Sequence, residues 1–142
     1  MTSPETVSEI RVRYAETDQM GVVYHTHYLV WCEIGRTDHI RSFGESYAAL
    51  EKDGVRLAVA HAEVRYAASA RYDDVVRIRT RVERMQSRVV TFSYELSRVD
   101  ENDETHIASV RTRLIALGRD GTPRTIPPLL QQRLREGLDT ST

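Results

Sequence analysis

A carboxylate, a glycine and a histidine lie within eight residues near the start of the chain, in the stretch YAETDQMGVVYH. Gly21 allows a positive φ and therefore a tight reversal, which would bring Asp18 back toward the apolar segment that follows His25. If that segment is a helix, its first N–H groups can stabilise negative charge on an oxygen, while the carboxylate acts as base or nucleophile. The stretch therefore predicts a site for acyl transfer.

Each of these side chains also has a simpler interpretation. An aspartate before a glycine turn often binds backbone N–H groups, so Asp18 is either a turn residue or a catalytic carboxylate. His25 is either a hydrogen-bonded histidine without a catalytic role or a group that orients water or a substrate carbonyl. Tyr14 either packs in the core as a strand residue or anchors the loop or the substrate beside Asp18. The spacing alone leaves these alternatives open.

The backbone at the predicted helix start forms the second half of the site. Tyr24, His25 and Thr26 are expected to present unpaired N–H groups, which together with the helix dipole suit a polarised carbonyl oxygen. The neighbouring pattern HTH does not predict a metal site, because histidines two residues apart point to different faces of a helix and no second ligand pair stands elsewhere. We therefore expect no metal and no cofactor.

The composition excludes several classes of function. The 142 residues include 20 basic and 21 acidic side chains, for a formal charge of -1, whereas nucleic-acid binding depends on a basic surface. No leader sequence and no membrane-spanning run are visible. The single cysteine, Cys32, favours a reducing compartment and a buried packing role. We expect a soluble cytoplasmic protein with no nucleic-acid or membrane partner.

Hydrophobic periodicity predicts a simple order of elements. Residues 8–14 alternate apolar and basic side chains, which indicates a strand. Residues 26–43 follow as a helix that is apolar over most of its circumference and should therefore be buried. A short second helix is predicted over residues 46–53. Four further strands are predicted at residues 56–66, 74–85, 89–99 and 106–117.

Four consecutive strands joined by short turns imply an antiparallel sheet and an α+β domain. This sheet must curl around the apolar helix, and a second subunit is expected to cover the remainder and the exposed sheet edges. Tandem prolines predict a short terminal helix after Pro128. We expect a single domain over residues 1–142, with its core at about residues 8–130.

The stretch RVRYAETDQMGVVYHTHYLVWCEIGRTDHI resembles the signature of the hotdog-fold acyl-CoA thioesterases of the 4-hydroxybenzoyl-CoA thioesterase type, in the branch that includes the Tol-Pal-associated thioesterases. A second stretch, YAASARYDD, resembles that family more weakly. The resemblance implies a hotdog fold, in which a five-stranded antiparallel sheet wraps around one long central helix. It also implies assembly into a homodimer or homotetramer.

The resemblance further implies roles for individual residues. Asp18 matches the catalytic carboxylate of the family, with Tyr14 four residues before it and His25 seven residues after it. The backbone N–H groups of Tyr24 and His25 would polarise the thioester carbonyl. Many family members have aspartate where Glu16 stands, a departure that keeps the acidic character.

Coenzyme A binding is less sharply indicated. The family holds the phosphates of coenzyme A near the subunit surface, and Arg71 and Arg88, both next to strand ends, are our candidates for this role. Each could instead be a solvated surface arginine. Proline is common in the family where Ser69 stands, so the connection at this point is expected to be looser.

The sequence thus predicts hydrolysis of an acyl-CoA thioester to free acid and CoA. Two alternatives stand beside it. A hotdog hydratase or dehydratase acting on enoyl or 3-hydroxyacyl thioesters also places an acid and a histidine at a helix mouth. A non-catalytic module would bind acyl-CoA and release no thiol. The acyl group is not indicated, because apolar helix residues fit aliphatic and aromatic chains alike.

Overall fold

The computed structural model describes residues 4–136, which form five strands and three helices. The predicted strands and helices are confirmed, with ends shifted by a few residues. Tyr14 is the exception, because it lies in a 3-10 turn (Tyr14–Glu16) and not in the first strand. The elements are β1 (Glu5–Arg11), α1 (His27–Arg41), α2 (Glu45–Lys52), β2 (Arg56–Tyr66), β3 (Val75–Met85), β4 (Val89–Val99), β5 (Glu104–Leu117) and α3 (Pro128–Arg135).

The strands form one antiparallel sheet in the order β1-β3-β4-β5-β2. Strands β3, β4 and β5 make a meander, because short turns join antiparallel neighbours. Strands β1 and β2 lie at opposite edges, so the connection between them, which contains α1, must cross a face of the sheet. The hotdog fold expected from the resemblance is confirmed, with α1 as the central helix.

Alternation along the strands separates a charged face of the sheet from an apolar one. In β3, buried side chains alternate with arginines, and Arg79 donates a hydrogen bond to Glu104 at 3.0 Å on the outer face. The inner face is left for α1. The buried side chains of β3 are Val76, Ile78, Thr80 and Val82.

Helix α1 buries one side against this inner face. Trp31 and Cys32 are buried completely or almost so, and burial raises the pKa of the Cys32 thiol, in agreement with the packing role predicted for it. The opposite side is not covered within one chain, since Val30 is 46% exposed and Ile34 39%. The sheet of one chain therefore covers only part of the helix, and cover of the remainder by a second subunit stays a prediction.

Gly35 sets the distance between α1 and β3. A Cβ atom at this position would overlap Thr80 Oγ1 and would lie 2.9 Å from Ile78 Cγ2. Only glycine therefore lets the helix backbone approach the strand this closely. The Thr80 hydroxyl is buried without a hydrogen-bond partner among residues 4–136. This contact fixes the height of α1 above the sheet, and hence the position of its first turn.

Helix α3 packs against β3 and α2 through Leu130 and Leu134, which are both buried. It begins at Pro128, as the tandem prolines predicted. Proline is favoured at the first helical position because its missing N–H would have no partner there. None of the helices between residues 4 and 136 is long and apolar enough to cross a membrane.

Candidate active site

A tight hairpin over residues 17–23 carries the candidate carboxylate. Thr17 and Val23 form an isolated antiparallel bridge, and the Asp18 N–H donates to the Val22 carbonyl at 2.9 Å. Gly21 reverses the chain with a φ of 79°, a conformation that side chains disfavour. The predicted role of Gly21 is confirmed.

Asp18 makes the contact of a turn aspartate, and its side chain also lies at a cavity. Its Oδ1 accepts a hydrogen bond from the Met20 N–H at 2.8 Å, as in a turn aspartate. No residue between 4 and 136 donates a hydrogen bond to the second oxygen. The half-buried side chain also lines a cavity of about 400 Å³, a size within the usual range for small-molecule sites. One oxygen thus holds the loop, and the other has no donor among the described residues.

The turn that leads into α1 lines the same cavity through Tyr24 and His25. The Tyr24 N–H donates to the Glu16 carbonyl at 2.9 Å, so the expectation that it is a free donor is wrong. Within the described residues, the N–H groups of His25 and Thr26 have no hydrogen-bond partner. The candidate donor that lines the cavity is therefore the His25 N–H.

Two tyrosines that the sequence did not single out build the opposite wall. The Tyr66 hydroxyl donates to the His25 carbonyl at 2.9 Å, and the Tyr28 hydroxyl accepts from the Ala70 N–H at 3.2 Å. The two rings lie 5.2 Å apart, and both line the cavity. Tyr66 is the first residue of the stretch YAASARYDD. The weaker resemblance of this stretch to the thioesterase family was the one feature of the sequence that could have pointed to Tyr66.

The segment after Tyr66 is held firmly. Arg98 donates to the Ser69 carbonyl at 2.7 Å, and the Val23 N–H donates to the Ala70 carbonyl at 2.8 Å. The looser connection expected from serine in place of proline is therefore not seen. These bonds attach the segment to both the hairpin and the sheet.

Three predicted site residues lie outside this cavity. Tyr14 is 76% exposed, and its ring contacts that of Tyr72 with centroids 5.7 Å apart. The alternative that Tyr14 packs in the core is therefore wrong, and the structure does not bring Tyr14 to Asp18. Arg71 is exposed and follows the segment that lines the cavity.

Arg88 lies at the far end of the sheet. Its carbonyl accepts from the Ala116 N–H, whereas Tyr66 at the cavity pairs with Ala108. At about 3.3 Å per residue along β5, this separation is about 26 Å. A single chain therefore does not bring Arg71 and Arg88 together.

Glu16 attaches the hairpin to α1 from the inside. It is only 3% exposed, and its two oxygens accept separate bonds, from the Arg13 N–H at 2.8 Å and from Trp31 Nε1 at 2.9 Å. Burial by itself raises the pKa of Glu16, but these hydrogen bonds outweigh burial and leave the pKa below its usual 4.5. The buried carboxylate is therefore ionised at neutral pH.

Replacing Glu16 by glutamine should destabilise the fold by about 2 kcal/mol at pH 7, because the amide has one oxygen for two converging donors. The lowered pKa makes the contribution of Glu16 complete above about pH 4.5, and it is lost as the pH falls through the folded-state pKa. Urea unfolding at pH 7 and at pH 3 measures the difference in the free energy of unfolding between the wild type and the variant at each pH. The exposed Glu33→Gln is the control, and a difference that persists undiminished at pH 3 would contradict an ionised Glu16.

Comparison with known proteins identifies the family of this chain. Residues 12–134 match the family described as the thioesterase-like superfamily. The chain belongs to this superfamily. The match begins just before the hairpin and ends within α3, so it includes every residue that lines the cavity.

Individual members of the superfamily are similar to different extents. YneP of Bacillus subtilis is 41% identical over 88 residues, which cover 62% of this chain and 64% of that protein. The acyl-CoA thioester hydrolase YbgC of Escherichia coli is 36% identical over 61% of this chain and 65% of its own length. The chain thus spans slightly less than two thirds of these relatives. The crystal structure of a DHNA-CoA thioesterase from Staphylococcus aureus is 34% identical, with a TM-score of 0.77, over 85% of this chain and 80% of that one.

Proposed function

We propose that this protein hydrolyses the thioester of an acyl-CoA to a free acid and CoA. The observation that carries the proposal is the shared cavity, which the Asp18 carboxylate and the first turn of α1 line together. A carboxylate with a free oxygen and an unpaired N–H are the two groups that acyl transfer requires. The relatives named as acyl-CoA and DHNA-CoA thioesterases support the same reaction.

In the proposed mechanism, the thioester carbonyl oxygen accepts a hydrogen bond from the His25 N–H. A donor of this kind lowers the barrier by about 3 kcal/mol when it meets the developing oxyanion. The free Asp18 oxygen then either attacks the carbonyl carbon, giving a mixed anhydride that water cleaves, or removes a proton from an attacking water. The thiolate of CoA leaves and takes up a proton from solvent. The His25 imidazole, exposed at the cavity, orients the water or the carbonyl.

The test is thiol release across short, long and aromatic acyl-CoAs. Steady release with at least one acyl group supports hydrolysis. Loss of a conjugated enoyl thioester without free thiol would instead indicate a hydratase, and tight binding with neither product would indicate a binding module. Label in the Asp18 carboxylate after a single turnover in heavy-oxygen water, which requires water to cleave the anhydride at the Asp18 carbonyl, or a trapped acyl-Asp18, indicates attack by Asp18.

Coenzyme A is proposed to leave the cavity along the segment that precedes Arg71. The exposed guanidinium of Arg71 follows this segment and has no ion-pair partner in the described part of the chain. Its charge suits a phosphate at the rim. Because Arg88 lies at the opposite end of the sheet, we propose that it serves the cavity of a second copy of the chain.

We propose that two copies pair through β2. This strand is at the edge of the sheet and is exposed along most of its length, with Val59 53% exposed. An unpaired edge of this length is a template for a second strand. Antiparallel pairing would place the Arg88 end of one sheet beside the cavity end of the other. The uncovered Val30 and Ile34 on α1 offer a further contact for a tetramer.

Sedimentation velocity should show a dimer or tetramer at micromolar concentration. Val59→Lys should shift the protein toward the monomer, because it brings two like charges together at the paired edges. Val7→Lys, which changes a 49% exposed valine on the opposite edge strand β1, is the matched control. A monomeric wild type would overturn the proposed assembly. The cytoplasmic location expected from the sequence stays a prediction.

A further inference from the structure

The turn that leads into α1 leaves the His25 carbonyl without a helical partner. The His27 N–H donates to the Tyr24 carbonyl at 3.0 Å, and the Leu29 N–H donates to the Thr26 carbonyl at 3.2 Å. Both bonds span three residues, as in a 3-10 turn. The Leu29 N–H, which would serve the His25 carbonyl in a regular α-helix, is thereby used elsewhere.

Tyr66 supplies the missing partner from the other side of the cavity. Its hydroxyl donates to the His25 carbonyl at 2.9 Å, and its ring packs edge-on to the His25 imidazole with centroids 6.2 Å apart. Burial, followed by the proximity of Tyr28, raises the pKa of the Tyr66 phenol. The phenol therefore stays protonated, and it can donate, throughout the neutral range.

This bond restricts the direction of the His25 N–H. Peptide groups are planar, so a residue has only two free backbone rotations. The peptide plane that carries the His25 N–H also carries the Tyr24 carbonyl, which accepts from His27. The next plane carries the His25 carbonyl and the Thr26 N–H and is held by Tyr66. The bond from His27 is internal to the turn, whereas the bond from Tyr66 ties the turn to β2, so the direction of the His25 N–H relative to the sheet depends on Tyr66.

The same bond also removes an electrostatic obstacle. A bare carbonyl oxygen at the cavity carries partial negative charge and would oppose a developing oxyanion nearby. Donation from Tyr66 neutralises part of that charge and polarises the backbone at this turn. The preorganised donors of an acyl-transfer site depend on this kind of fixed orientation.

We propose that Tyr66 is a positioning residue for the proposed hydrolysis: its phenol holds the His25 carbonyl, which ties the turn before α1 to β2 and so sets the direction of the His25 N–H toward the substrate oxygen. This inference rests on the proposed function, and it assigns Tyr66 a role through the backbone and not through direct contact with the reacting atoms. It predicts an effect on the transition state that exceeds the effect on binding.

The decisive variant is Tyr66→Phe, which keeps the ring and removes the hydroxyl. We expect kcat to fall about ten-fold, the equivalent of one hydrogen bond, with KM changed less than about two-fold. Amide hydrogen exchange, followed by NMR without substrate, should be faster at His27 and Leu29. Tyr72→Phe removes the same atom from an exposed phenol outside the cavity and should alter neither measurement.

The kinetics and the hydrogen exchange of Tyr66→Phe together distinguish the ways in which the proposal could be wrong. A lower unfolding midpoint with unchanged kcat would make Tyr66 a purely structural residue and overturn the proposal, as would unchanged exchange at His27 and Leu29. If KM rises while kcat stays constant, Tyr66 contacts the substrate directly and the proposal is again wrong. A wild type that releases no thiol overturns the proposed function, whereas the exchange measurement still tests whether Tyr66 fixes this turn.

Discussion

Asp18→Asn should lower kcat for acyl-CoA hydrolysis by about 10²–10⁴-fold, the range expected when a general base or nucleophile is removed. The fold should be unaffected, because the asparagine Oδ1 can still accept the Met20 N–H that holds the turn. The amide has no proton affinity at the free position and is a poor nucleophile. Thiol release under saturating substrate measures the loss, and thermal unfolding of the same sample checks the fold.

The chain offers a matched control for this substitution. Asp120 also accepts a backbone bond two residues on, from the Thr122 N–H at 3.1 Å, but it lies in another turn and does not line the cavity. Asp120→Asn should leave kcat unchanged. Full turnover by Asp18→Asn would remove Asp18 from the mechanism, and the residue would then be only a turn aspartate.

Gly35→Ala should destabilise the protein by about 2 kcal/mol, the usual cost of overfilling a packed site. Alanine is the better helix former by about 1 kcal/mol, but its Cβ would overlap the Thr80 hydroxyl. Relief of the overlap must lift α1 from β3, which also moves its first turn relative to Asp18. Urea unfolding measures the stability, and thiol release should fall even where the variant is fully folded.

Two further substitutions test whether the overlap with Thr80 causes the loss of stability in Gly35→Ala. Thr80→Ala removes the hydroxyl that the new Cβ meets, so Gly35→Ala should cost less in that background, and the difference is the coupling between the two sites. Glu33→Ala, at an exposed position of the same helix, reports helix propensity alone. A Gly35→Ala variant as stable as the wild type would show that the helix does not need this close approach.

The strands could be predicted from the sequence because each one carries its own signal. Residues 75–85 alternate buried and charged side chains, and burial on one face follows directly from that period. The same reasoning failed for Tyr14, whose alternation with Arg13 continues the strand pattern while the chain already turns. The uncovered side of α1 could not be assigned to Val30 and Ile34 from the sequence, because a helix that is apolar nearly all round does not say which of its residues the sheet covers.

The site was predictable only in part. Asp18 and Gly21 lie in one short hairpin, so their proximity to the helix start follows from local geometry. Tyr66 and the acceptor of the Tyr24 N–H were missed, since both depend on how the hairpin and β2 dock against α1. Glu16 showed no sign of burial in the sequence, because a buried carboxylate is recognised by its donors, and Trp31 lies 15 residues away.

The order of the strands has a consequence for how the chain folds. Strands β3 to β5 are neighbours in sequence and can pair through short hairpins, whereas His25 meets Tyr66 across 41 residues and Tyr28 meets Ala70 across 42. Such long loops lose more entropy on closure than hairpins do, and contacts of high sequence separation form slowly. Refolding protein should therefore regain the circular dichroism of its sheet before it regains the ability to release thiol.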